Sequence, residues 1–326
     1  MDADDLIMIE KALAAVLEDG EPAKLTEALD DFGWINILTE AMEAVPVVFR
    51  ALGRSKAWSS ALHDVLYLGL LADVGDASLS NTSVIVPLPG SLTPGVKHPP
   101  HFAVDGLLLG ARSTTAFFVA ACEAADGEVL VVQIPRDSAT VDHRVGLDVG
   151  MDMRRITATA DAGMVIARGD PARSWWTTSV SLARRAISVQ MCGLLATMLD
   201  MARLHAIDRH QFGRPVGSFQ AIRHKLAEAA VALAAAEGVA DAAWESDDQP
   251  LASLVSKVVV SRACTTVAAH TQQVLAGMGF TADHSYHQVM KRAVVLDRLF
   301  GDANELLPVL GRQLMARGAA PRLVEL

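Results

Sequence analysis

Cysteine is scarce: Cys122, Cys192 and Cys264 are the three in 326 residues, and they form no CxxC pair and have no histidine at zinc-ligand spacing. A disulfide framework and a zinc cluster are thereby excluded, and three small core thiols are expected. Lysine is also scarce, 7 against 21 arginines, and the 38 Asp+Glu against 28 Lys+Arg give a net charge of −10. Basic residues nowhere form a block, which argues against nucleic-acid and anionic-membrane partners, because phosphate contacts need clustered Lys and Arg. Long uncharged runs are few. Ala77–Val96 is broken by three prolines, and Ala263–Ala282 carries His270, Gln272 and Gln273, so no membrane span is expected. The first residues, MDADDLIMIEKALAAVLEDG, are acidic where a secretory leader is basic, and the expected location is the cytoplasm. The chain has no GxGxxG after a strand, no GxxxxGK[ST], no GxSxG and no HExxH, which sets aside the commonest dinucleotide, nucleotide, hydrolase and zincin sites.

What is present is apolar and periodic. With 51% hydrophobic residues and 20% charged ones, the chain is long enough and apolar enough for two or three packed units. From Asp4 to about Leu71, Leu6, Ile9, Leu13, Val16 and Leu17 recur at helical spacing, with breaks at Pro22, Gly33, Pro46 and Gly53. From about Ser78 to Gly169 short β-rich runs follow (84–86, 107–109, 116–119, 129–132, 164–166), separated by the turn signals Pro89-Gly90, Asp105-Gly106 and Asp126-Gly127. About six strands are predicted there. The period then returns to 3.6, with helices over Trp175–Ala206, Phe219–Trp244, Leu251–Leu275, Ser285–Phe300 and Asn304–Met315. The expected class is α+β multidomain: a helical unit over 1–76, a β unit over 77–172 and an antiparallel helical bundle over 173–326.

Two histidine groups invite chemistry. Asp283, His284 and His287 are too few for a closed metal site and read as a solvated helix start, so no metal is expected. His205, Asp208 and His210 flank a helix end, where cationic side chains offset the dipole. The informative stretch is Asp208–Ala221, DRHQFGRPVGSFQA: a long helix stops, Gly213, Pro215 and Gly217 force a tight connection, and Ser218 is placed to cap the next helix. Arg209 and Phe212 stand three apart at that turn, where a guanidinium can pair with a diphosphate and a ring can pack on a base or ribose.

At Arg209, Phe212, Gly213, Pro215, Val216, Phe219 and Gln220 the sequence resembles the acyl-CoA dehydrogenase family, whose helix hairpin reads R-x-x-F-G-x-P-[IV]-x-x-F-Q. Gln273–Phe280, QVLAGMGF, resembles the family's Q-x-x-G-G-x-G-[FY], with Ala276 in place of one glycine. Phe32-Gly33-Trp34 and Val104-Asp105-Gly106 extend the resemblance over most of the chain. It implies an acyl-CoA dehydrogenase fold with a shortened N-terminal helical domain, a middle β-sheet or barrel domain and a C-terminal bundle. It also implies FAD at a subunit interface, with Arg209 facing the pyrophosphate, Phe212 the adenosine region, and Gln273 with Gly277 the pyrophosphate.

Other family positions are changed. The loop resembling Y-E-G-T that carries the glutamate base is Leu299–Asn304 here, with Gly301 at the base position. The alternative base position, about 26 residues before the motif arginine, falls at Ala183. The flavin-ring segment T-E-P-x-x-G-S-D has no counterpart in Asn81–Ser91, and W-I-[ST] becomes Leu108-Leu109-Gly110. The retained motifs are those that reach a neighbour's cofactor. By resemblance, the chain is similar to the short subunit of the α2β2 acyl-CoA dehydrogenases of actinobacterial steroid catabolism. There FAD is shared with a longer partner that carries the base, the substrate is a bulky acyl-CoA bound mainly by that partner, and electron-transfer flavoprotein is the usual acceptor. Two other readings stand beside it: a homomeric dehydrogenase with a displaced base such as Asp302, Asp297 and Glu305 being helix-surface charges, and a flavin-free interaction protein that kept the fold.

Overall fold

The computed structural model describes residues 3–18, 25–74, 81–98, 101–110, 115–143 and 146–318. Five helices come first: α1 (Ala3–Glu18), α2 (Leu25–Asp31), α3 (Trp34–Glu40), α4 (Val45–Arg54) and α5 (Ala61–Val74). α4 shows why they form. Val45, Val48, Phe49 and Leu52 recur at i, i+3, i+4 and i+7 and are all buried, and Pro46 lies in the first turn, where no amide donor is needed. The break expected at Pro22 and the 76/77 boundary lie outside the described residues.

A nine-stranded sheet follows: β1 (Thr82–Val84), β2 (Val86–Pro87), β3 (Gly95–His98), β4 (His101–Leu109), β5 (Phe117–Glu123), β6 (Val129–Pro135), β7 (Ala139–His143), β8 (Met153–Ala160) and β9 (Val165–Arg168). Its order is β7-β8-β4-β3-β5-β6-β9, with β1 parallel to β5 and β2 antiparallel to β4. The continuous apolar runs have a simple cause. Ile85, Phe118, Ala120, Leu130 and Val132 pack inside the sheet domain, while Val84, Val86, Val119, Ala121, Val129 and Val131 pack against the helical core. Both faces of these strands are dry, so alternation is lost.

Among the described residues nine strands form this sheet, where about six were expected. β3, β7 and β8 were unreadable because GVKH is only four residues long, and ATVDH and MRRITATA are polar and largely exposed or half-exposed. Asp105-Gly106, read as a turn, lies inside β4, opposite Pro87 on one side and Thr157-Ile156 on the other. Glycine is needed at 106 for close approach: a Cβ there would meet Ile85 Cγ2 at 2.5 Å and overlap the Val86 carbonyl.

The C-terminal part contains α6 (Asp170–Asp208), a hairpin of β10 (His210–Gln211) and β11 (Arg214–Pro215), α7 (Gln220–Glu245), α8 (Gln249–Leu275), α9 (Tyr286–Arg298) and α10 (Ala303–Arg317). α6 and the segment Gln249–Phe280 are long and apolar enough to cross a membrane, yet two thirds of each apolar window (67%) is buried inside the protein, which marks them as core helices. α4 and α6 cross at glycine: a Cβ on Gly53 would overlap the Gln190 carbonyl oxygen, and one on Gly193 the Arg50 carbonyl oxygen. One continuous core joins the N-terminal helices, the outer sheet face and the bundle. Buried Arg292 ties them again: its guanidinium donates to the carbonyls of Lys56 (2.9 Å) and Ala57 (3.0 Å) and pairs with Asp148. The three cysteines are buried and unbonded, and burial pushes each thiol up to about 12.

Candidate functional site at the end of the helical bundle

α6 stops at Asp208, and Arg209 follows in extended conformation. His210 then pairs with Pro215 and Gln211 with Arg214, leaving Phe212-Gly213 as a two-residue hairpin loop. Both loop residues have positive φ, 54° and 76°, as a type I′ turn requires. Glycine adopts this freely; a phenylalanine does not. Phe212 is nevertheless held there 92% exposed, its ring touching only the edge of Phe219 at 6.2 Å, while Arg214 lies 4.2 Å over the Phe219 ring. Arg209 is exposed, and among the described residues its guanidinium has no hydrogen-bond or ion-pair partner. The expected Ser218 cap is absent. Phe219 occupies the N-cap position, and the Ser218 hydroxyl is buried without a partner, because the turn Val216–Ser218 carries the chain past α6 before α7 begins.

The second motif stands at the same end. α7 and α8 run antiparallel, and Glu228 pairs with His270 at 2.9 Å, so the start of α7 lies level with the turn that closes α8. Ala276–Phe280 forms that turn. Gln273 is exposed and uncommitted, and a Cβ on Gly277 would meet no atom within 4 Å, which leaves the backbone there open to a ligand. Ala276 sits at φ 51°, ψ −133°, a conformation natural to the glycine it replaces. Gln272 holds the turn: its amide donates to the Ala276 carbonyl at 3.2 Å, and its Oε1 is buried without a donor. Phe280, 75% exposed, adds a second aromatic face.

His205 lies between the two motifs. Burial lowers its pKa, and Arg209 and His284 lower it further against Asp208, which favours the neutral ring over the cation that would offset the helix dipole. Asp283, His284 and His287 assemble no metal cluster among the described residues. Instead, His284 Nδ1 accepts the Tyr286 amide at 3.1 Å, and His287 Nδ1 bonds the His284 carbonyl at 2.7 Å.

At the base positions the geometry is closed. Ala183 is fully buried in the helical core. Gly301 has φ 94°, and a Cβ there would meet Leu306 Cδ2 at 2.7 Å, so a longer side chain is opposed by both backbone and space. Asp302 is the N-cap of α10. Its Oδ1 accepts the amides of Asn304 (2.8 Å) and Glu305 (3.0 Å), its Oδ2 pairs with Arg298, and Glu305 returns the contact to the Asp302 amide at 3.1 Å. The capping box and the Arg298 pair together engage both carboxylate oxygens. Asp297 and Glu305 are therefore not plain surface charges. Asp297 is the counter-ion of Lys257, which is fully buried and donates to the Asp297 carbonyl at 2.6 Å. Burial pulls the Lys257 ammonium down to about 8, with Asp297 opposing. Arg184, drawn down to about 10 by burial, donates Nε to the Phe300 carbonyl at 3.0 Å and fixes the same loop. Sequence alone gave no sign of these two cations. At Gly110 a Cβ would meet the Ser59 carbonyl oxygen at 2.9 Å and Trp58 Nε1 at 3.3 Å, so a hydroxyl-bearing side chain has no room.

Comparison with known proteins fits this architecture. Residues 174–315 match the family described as acyl-CoA dehydrogenase, C-terminal domain. The acyl-CoA dehydrogenase IpdE2 of Mycolicibacterium smegmatis is 31% identical over 157 residues, 48% of this chain and 49% of that protein. The chain thus spans about half the length of that relative. Among solved structures, the ChsE4-ChsE5 complex of Mycobacterium tuberculosis superposes with a TM-score of 0.78 at 20% identity, covering 99% of both chains. The Tcur3481-Tcur3483 steroid ACAD gives 0.79 at 19%, covering 98% and 99%. The bundle therefore matches the acyl-CoA dehydrogenase C-terminal domain, and the whole chain has the acyl-CoA dehydrogenase fold.

Proposed function

From that fold and that domain, we propose that this chain is a subunit of an FAD-dependent acyl-CoA dehydrogenase whose catalytic base resides on a longer partner. In an α2β2 assembly it completes the flavin site for α,β-dehydrogenation of a bulky, steroid-derived acyl-CoA. The observation that carries the proposal is Phe212, held in a left-handed turn with its ring in solvent beside an unpaired Arg209. Backbone strain and exposed aromatic surface both oppose folding, and their coincidence points to a ligand or partner.

The residues present suit a dinucleotide. Arg209 offers a forked donor for a diphosphate, Phe212 a stacking face for adenosine, and Gln273 with the open backbone at Gly277 further contacts to the diphosphate. When bound, flavin supplies the hydride acceptor of the reaction. The α-proton needs a carboxylate within hydrogen-bonding reach, and here Gly301 and Ala183 carry none while both Asp302 oxygens are engaged. That commitment weighs against a homomeric enzyme using Asp302. The names of the structural relatives, a two-component complex and a steroid ACAD, support the heteromeric and steroid elements. The proposal includes units at 1–76, 77–172 and 173–326, a cytoplasmic location and electron-transfer flavoprotein as acceptor.

The test is flavin absorbance with mass by light scattering, on the chain alone and after co-expression with the neighbouring acyl-CoA dehydrogenase-like gene. A colourless lone chain that becomes a yellow heterotetramer with about one FAD per αβ pair is expected. A yellow, active homomer would overturn the proposal, and a colourless complex would favour the flavin-free interaction protein.

A further inference from the structure

A cleft of about 860 Å³ opens between α1, α4, α6 and the end of α7, on the face of α6 that carries Thr178, Leu182 and Arg185. It uses neither the hairpin nor the 299–303 loop. Its walls include Met42, Val47 and Leu182, and Arg185 and Trp244 meet on one side. Arg185 is 4% exposed and stacks on the Trp244 ring at 4.6 Å. Among the described residues it reaches two neutral acceptors, the Ala243 carbonyl at 3.4 Å and Gln249 Oε1 at 3.1 Å. Burial draws its pKa down to about 10, with no carboxylate acting to raise it, so the group is a cation at neutral pH.

Among the described residues two buried donors remain without partners, Arg185 Nε and Trp244 Nε1. A buried, uncompensated guanidinium is costly, and the carbonyl at the end of α7 offsets only part of that cost. Of the other charges lining the cleft, Arg50 is paired with Asp241, and Glu10, Glu43, Arg54 and Glu245 are exposed. One inner cation and exposed acids favour a single negative charge over a dianion.

We propose that this cleft binds an amphipathic monocarboxylate, with its head group on the Arg185 and Trp244 donors and its apolar body along Met42, Val47 and Leu182. The volume lies in the range of small-molecule sites, and few polar groups in an apolar wall are their usual composition. The site stands independently of the flavin proposal.

The experiment is calorimetric titration of the purified full-length chain with dodecanoate, paired with Trp fluorescence. Saturable one-to-one binding is expected. Arg185→Gln should weaken it at least about tenfold, the loss expected of a charge-assisted hydrogen bond. Val47→Trp, which fills the cleft and leaves Arg185 in place, should abolish it and covers the case in which Arg185→Gln fails to fold. Methyl dodecanoate should bind at least about tenfold more weakly than the acid. Absence of saturable binding, equal affinity for acid and ester, or binding unaffected by Val47→Trp would each overturn the proposal.

Discussion

Phe212→Gly separates a folding role from a binding role. Left-handed φ costs a non-glycine residue roughly 1–2 kcal/mol, and Phe212 has φ 54°. The residue is 92% exposed, so its removal sacrifices almost no burial. The edge contact with Phe219 contributes at most about 1 kcal/mol, and glycine's greater freedom in the unfolded chain takes back roughly 0.5–1 kcal/mol. These terms nearly cancel, so the melting temperature of the isolated chain should stay within about 2 °C of wild type. Flavin retention should behave oppositely. A lost stacking face is worth roughly 1–3 kcal/mol, which corresponds to about 5- to 150-fold weaker FAD binding in the complex with the partner subunit. Differential scanning fluorimetry on the chain alone, and flavin per αβ pair after gel filtration, measure the two effects. A fall of several degrees with flavin content unchanged would refute the reasoning and make Phe212 a structural residue.

Other substitutions test the remaining features. Ala276→Gly should stabilise the chain by about 1 kcal/mol, because it relieves a backbone conformation that only glycine adopts freely; denaturant midpoints check it. Asp302→Asn should preserve the helix cap and leave turnover of the assembled enzyme unchanged, while Asp302→Ala should destabilise by about 1–2 kcal/mol. A thousandfold loss of turnover in the Asn variant, with stability intact, would make Asp302 the base. Lys257 titrates near 8 when folded and near 10.5 when unfolded, so the unfolded chain binds more protons between those values and the contribution of this residue to stability rises with pH there. The three cysteines act in the opposite direction, and Cys122 and Cys192, which Lys257 does not perturb, cancel in a comparison with Lys257→Met. The wild type should gain up to about 3 kcal/mol relative to that variant from pH 7 to pH 10.5, read by urea unfolding at each pH.

The helices were legible because their apolar residues repeat with the helical period over several turns, and α6 to α10 begin and end within a few residues of expectation. The strands were legible only where both faces are buried. β7 and β8 lie at one end of the sheet, where packing is one-sided and charged residues such as Arg154 and Arg155 pair with Asp152 and Asp105, so no apolar run announces them. The two turn motifs, Arg209–Gln220 and Gln273–Phe280, could be read because glycine and proline encode a turn locally. The Asp302 cap is also local, yet in the sequence Asp302 reads as a displaced base and Glu305 as a surface charge, although their spacing of three is that of a capping box. Lys257 with Asp297, and Arg185 with Trp244, are 40 and 59 residues apart in sequence, pairings that only the packed bundle brings about.

α6 has a mechanical consequence. At 1.5 Å per residue its 39 residues make a rod about 58 Å long. The rod is rooted where the Gly169 amide meets the Val129 carbonyl at 2.9 Å, and gripped midway at the glycine crossing with α4. The Phe212 turn rides on the far tip, so its position relative to the sheet is set by the stiffness of the shaft more than by local contacts. In the proposed assembly a tip carried this way would reach its counterpart already in place, and docking would be a rigid-body association with little ordering entropy left to lose.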